Sequence, residues 1–87
     1  MHTRIGPLAA FTKAITSGQP RHFEATVKAA YAVGADREDL LMAVEVARIL
    51  TEVPAAVVAQ AYATIHAWHW MAARRPAHQR ELVSRDA

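Results

Sequence analysis

The chain contains no cysteine, an absence that removes disulfides, thiolate metal sites and any dithiol redox cycle. Glycine and proline are scarce, three and four in 87 residues, which leaves too little turn chemistry for a protein built of hairpins. No uninterrupted apolar stretch is long enough to cross a bilayer. The opening MHTRIGPLAAF lacks the apolar core of a signal peptide. A cytoplasmic location without a membrane partner is the resulting expectation. Charge of one sign is also lacking, since the formal net charge is only +2. Arg74, Arg75, Arg80 and Arg85 gather late in the chain but are interleaved with Glu81 and Asp86. That pattern reads as a solvated basic tail, and no nucleic-acid partner is expected.

What remains is apolar and alanine-rich, with hydrophobic residues making up 53%. A chain this short forms one small domain that buries only about 60–65% of the surface exposed when unfolded. Without staples, such a domain gains stability from well-packed helices or from oligomerisation.

The sparse punctuation divides the chain into helices. Pro7, Pro20 and Pro54 suit first turns. Ser17-Gly18 and Gly34 suit helix ends, Gly34 as a left-handed terminator. Asp36 reads as an N-cap whose carboxylate accepts from the next turn's amides, and Pro76 blocks continuation of the last helix. No strand-like alternation occurs. The expectation is an all-α fold of four helices near 7–16, 20–33, 37–50 and 54–75. They form one domain over 1–76, followed by a polar, basic tail over 77–87.

Helical winding then assigns faces. In the second helix Phe23, Val27 and Ala30, flanked by Tyr31, form a core stripe, and Glu24 and Lys28 make a surface pair. In the third, Leu40, Ala43, Val44, Ala47 and Leu50 line one face while Leu41, Val46 and Ile49 spread onto others. A helix so apolar in so small a domain must bury more than one face.

The fourth helix ends in HAWHW, residues 66–70. On a regular helix Trp68 joins Val57, Ala61, Ile65 and Ala72 on a core stripe, whereas Trp70 falls nearly opposite, beside Ala59 and Ala63. The expected division is Trp68 in the subunit's own core and Trp70 at an interface between subunits. Tyr62, His66 and His69 run between the two faces. Two histidines alone are a poor metal site, and no acidic partner shares their strip. The strip remains open to three readings: a metal pair, the lining of a pocket or interface, or plain packing. No metal is expected there.

VGADREDLLMAVEVARILTEVPAAVVAQAYAT, residues 33–64, resembles the signature of the carboxymuconolactone decarboxylase superfamily, which includes the alkylhydroperoxidase D-like (AhpD-like) proteins. The marks are Gly34-Ala35, the charged cap Asp36-Arg37-Glu38-Asp39, the apolar helix, and Val53-Pro54-Ala55-Ala56 opening the next one. PLAAFTKAIT is similar to the helix before the family's active-site helix, so the resemblance spans roughly residues 7–72. It implies a small four-helix AhpD-like domain assembled as a homotrimer or homohexamer. The peroxidase branch carries two cysteines and a histidine where this chain has Gln19, His22 and Thr26. No thiolate nucleophile exists, so thiol peroxidase chemistry is excluded for this chain. The decarboxylase branch uses a glutamate and a histidine two residues later. Glu24 matches the glutamate, and Thr26 replaces the histidine.

His22 lies one turn before Thr26 on the same side of the helix and is the candidate replacement. Glu24 points away from that stripe on a regular helix. Two functions follow as expectations. The first is a non-redox, cofactor-independent proton-transfer enzyme, a decarboxylase or isomerase of a small oxo- or lactone acid. Its catalytic set would be His22, Glu24 and Thr26, with Tyr62, His66 and His69 on the substrate and Arg21 or Arg48 holding a small carboxylate. The second is a catalytically empty oligomeric module that binds a ligand or has a structural role. Convergence of His22 with the His66/His69 strip on one cleft would favour the enzyme.

Overall fold

The computed structural model describes residues 5–73, and the 77–87 tail lies outside them. Helix α1 spans Ile5–Thr16, α2 Phe23–Ala32, α3 Arg37–Leu50, α4 Ala55–Trp68 and the short α5 Trp70–Ala73. The described residues contain helices and turns, with no strand among them. Helix α1 packs on α2 and α3, α4 closes against both, and α5 lies on α2.

Helices α1 and α2 end in the same way because each is followed by a glycine at positive φ. Gly18 stands at φ 65° and Gly34 at φ 103°. Around the first, Gly18 N–H donates to Ile15 O at 3.1 Å and Gln19 N–H to Ala14 O at 2.9 Å. Around the second, Gly34 N–H donates to Tyr31 O at 3.1 Å and Ala35 N–H to Ala30 O at 2.9 Å. Both are Schellman closures, which satisfy the last free carbonyls of a helix and turn the chain sharply. Asp36 then opens α3. Its Oδ1 accepts from Asp39 N–H at 3.0 Å, and Asp39 Oδ2 accepts from Asp36 N–H at 3.1 Å. This reciprocal box goes beyond the single cap expected from Asp36.

Pro20 opens a 3₁₀ turn, Pro20–His22, and regular α2 begins only at Phe23. Inside, Phe11 and Phe23 meet edge to face, centroids 5.5 Å apart and planes at 80°. Ile15, Val27, Leu40, Val44 and Ile65 complete the fully buried set of large side chains. The α2 stripe of Phe23, Val27, Ala30 and Tyr31 is buried as its spacing predicts. Of the stripe expected on the fourth helix, Val57, Ala61, Ile65 and Trp68 on α4 and Ala72 on α5 all belong to or pack against the core.

Two expectations need correction. Leu50, assigned to the inner face of α3, is 68% exposed. It sits at the last residue of the helix, beyond the reach of the packed turns. The continuous fourth helix to residue 75 is also interrupted. Helix α4 stops at Trp68, and His69 N–H donates to His66 O at 3.4 Å, a tighter 3₁₀ step. That step leaves Ile65 O without its usual helical donor, and the buried Tyr31 hydroxyl supplies one at 3.1 Å. The two tryptophans also do not oppose each other. Their rings lie 5.8 Å apart at 43°. Trp68 is only partly buried and Trp70 is 47% exposed.

Candidate functional site

His22 and Thr26 line one groove of about 470 Å³ between α1 and α2, together with Lys13, Ser17 and Gln19. The 3₁₀ turn sets His22 at the mouth of α2, and one helical turn brings Thr26 beneath it. Small apolar side chains, the buried Ala14 and the exposed Ala10 and Ala25, also line the groove. Lys13 supplies a cation there that the sequence reading missed. Only the packing of α1 against α2 brings it beside His22, so no spacing along the chain could have signalled it.

The threonine's proton is already committed. Thr26 Oγ1 donates to His22 O at 2.8 Å and also lies 3.1 Å from Phe23 O, so the hydroxyl can only accept from a ligand. The His22 ring is exposed, and its Nε2 accepts from Arg21 Nε–H at a long 3.4 Å. Chemically, the groove offers an imidazole and an ammonium that could meet a small anion, while the Ser17 and Thr26 hydroxyls, with their protons committed, can only accept from a donor group.

Glu24 stands outside this groove. Its carboxylate lies 3.8 Å from Lys28 Nζ, with both side chains well exposed, in the i,i+4 pair read from the sequence. The two line a separate shallow recess with Arg21 and Ala25. Lys28 Nζ also sits 4.5 Å over the Trp68 ring, a cation–π contact that ties the α2 surface to the end of α4. The proposed His22–Glu24–Thr26 set is therefore divided, with two residues on one face and the glutamate on another.

Tyr62 belongs to a third place. It lines a recess of about 360 Å³ with Arg48, Val53, Ala55, Val58 and Ala59. Its hydroxyl donates to Glu45 Oε2 at 3.1 Å, and Arg48 Nη1 donates to the same oxygen at 3.2 Å. Tyr62 and Arg48, both expected to handle a ligand, thus converge on a carboxylate from this chain. Glu45 was missed as a partner, although its i,i+3 spacing to Arg48 is visible in the sequence. His66 and His69 are exposed and line none of these three recesses. Among the described residues, no three His, Asp or Glu side chains gather as a metal site would require. No helix among them is long and apolar enough to cross a membrane.

The remaining surface feature lies on α3. Met42 is 63% exposed, Val46 39% and Ile49 81%, beside Leu50. The spacing i, i+4, i+7 and i+8 puts all four on one stripe that borders the buried stripe of Leu40, Ala43, Val44 and Ala47. Compared with protein-family models, curated protein sequences and solved structures, the chain has no significant match.

Proposed function

We propose that this protein is a helical assembly module which associates with further copies of itself through the outer face of α3. The observation that carries the reading is the Met42–Val46–Ile49–Leu50 stripe, an ordered row of large apolar side chains in water. Contiguous apolar patches of a few hundred Å² mark interaction sites on soluble domains. The small net charge of +2 adds little repulsion between copies. Sedimentation velocity at micromolar concentration should give an oligomer, and Ile49→Asp should shift it toward monomer with helicity unchanged. A wild-type monomer across that range would overturn the proposal.

A second reading is favoured by His22 and Lys13 sharing one groove. The chain would then act on a small oxo- or lactone acid, resembling a carboxymuconolactone decarboxylase in substrate class. Lys13 would hold the carboxylate and His22 would move a proton next to the carbonyl. Exchange of α-hydrogens into deuterated solvent, followed by NMR over a panel of such acids, tests it. Exchange above the buffer rate that disappears in His22→Ala supports the enzyme; equal rates with and without protein reject it for that panel.

A further inference from the structure

We infer that the groove between α1 and α2 binds a small 2-hydroxy carboxylate, its carboxylate held by Lys13 and His22 and its hydroxyl donating to Thr26 Oγ1. This rests on the groove of the second reading above, but on binding alone and not on proton transfer. It also makes a hydroxy acid, rather than an oxo acid, the ligand that fits.

Both sides of the groove repeat one pattern. On the α1 side, Lys13 is followed one turn later by Ser17, whose hydroxyl donates to Lys13 O at 2.7 Å. On the α2 side, His22 is followed one turn later by Thr26, whose hydroxyl donates to His22 O at 2.8 Å. All four residues line the groove. The His22 Nε2 accepts from Arg21 Nε–H, which leaves the proton of the neutral ring on Nδ1 as a donor. Each side thus sets a nitrogen that donates four residues before an oxygen whose own proton is spent.

The two halves of that pattern select different parts of a ligand. An ammonium and an imidazole N–H suit a carboxylate. A hydroxyl oxygen with no proton to give requires a donor on the ligand. A keto oxygen brings none and would face the Thr26 lone pairs unbonded. An ammonium brings one, but no acidic side chain lines the groove to balance its charge. Glu24 lies in the separate recess with Lys28. A hydroxyl is the donor that remains. Thr26 is its partner because Thr26 is partly buried, whereas Ser17 is exposed to competing water. Ala10, Ala14 and Ala25 offer the carbon body an apolar surface. The groove volume of about 470 Å³ falls in the range of roughly 300–1,000 Å³ usual for small-molecule sites.

Titration of the full chain with matched acids, followed by backbone amide shifts in NMR, tests the inference. Two trios are compared, one with a methyl and one with a benzyl body: the 2-hydroxy acid, the 2-oxo acid and the unsubstituted parent. An open groove holding so few atoms binds at millimolar affinity, so titration runs to about 50 mM. In at least one trio the hydroxy acid should bind about fivefold more tightly than its two relatives, the ratio of one hydrogen bond. The amides of Lys13, His22 and Thr26 should move with it. Thr26→Val should erase that ratio without weakening the unsubstituted acid, and Lys13→Gln should weaken all three. Equal affinities within both trios, or no saturable shift, overturn the inference. A ratio that survives Thr26→Val overturns the place given to the hydroxyl. Inorganic phosphate binding as tightly as the best hydroxy acid would mean that the groove reads charge alone, and overturns the ligand class. Hydroxy-acid binding without α-hydrogen exchange in any oxo acid supports this inference and rejects the second reading. Exchange of oxo acids with no preference for hydroxy acids does the reverse.

Discussion

Helices α2 and α3 face the same core but present different surfaces to water. Every large apolar side chain of α2, Phe23, Val27 and Tyr31, is buried, and the side chains it shows to water are the charged Glu24 and Lys28 and small alanines. Helix α3 buries Leu40 and Val44 equally well yet still exposes Met42, Val46, Ile49 and Leu50. The excess on α3 is therefore not core residue displaced by a lack of inner positions. An ordered second stripe at helical spacing is what a helix packed on two sides requires, while α2 has the composition of a helix packed on one.

The sharpest way to break this contrast is a pair of truncations. Phe23→Ala should cost about 3–5 kcal/mol, because it removes a buried ring and its edge-to-face partner at Phe11. Ile49→Ala should change unfolding of the dilute, monomeric chain by less than about 0.5 kcal/mol while weakening association. Urea denaturation read by circular dichroism at two protein concentrations separates the effects. Equal losses in dilute solution would mean that α3 has no free face.

Next in size is Tyr31, which links α2 to the interruption in α4. Tyr31→Phe leaves Ile65 O without a donor and should cost about 1–2 kcal/mol. Burial raises the phenol above its ordinary pKa of 10.0, with Arg37 lowering it and Asp36 raising it by smaller amounts. The sign follows from linkage. A raised folded pKa means a contribution fully present below about pH 10 and lost as pH rises through the folded pKa. Wild type should thus lose stability faster than Tyr31→Phe above pH 10, and parallel curves would remove Tyr31 from the account.

The smallest effect belongs to the surface of α2. Glu24→Gln breaks only an exposed 3.8 Å pair with Lys28, so thermal unfolding should move by less than about 0.5 kcal/mol. A larger loss would show that Lys28 over Trp68 depends on Glu24 for its position.

How legible was this in the sequence? The helix ends were, because a Schellman closure or an N-cap depends on one residue's backbone freedom or short side chain. Gly18, Gly34 and Asp36 act where they stand. Buried stripes were legible as well, since 3.6-residue periodicity is a local property. The candidate sites were legible only in part. His22 and Thr26 share a groove because one helical turn separates them, and Glu24 leaves it for the same reason. Lys13 beside His22, and Glu45 between Tyr62 and Arg48, required two helices to meet.

HAWHW marks the boundary between the two kinds of knowledge. The sequence by itself determined the all-helical class, the absence of thiol chemistry, the inner stripes and the helix ends, all set within a few residues of one another. Tertiary structure alone decided where α4 breaks and where Trp70 goes. A hydroxyl 34 residues away in sequence reaches the Ile65 carbonyl, and the chain tightens at His69. Angles extrapolated along a regular helix fail beyond that point, because a hydrogen bond between distant segments leaves no periodic trace in the sequence.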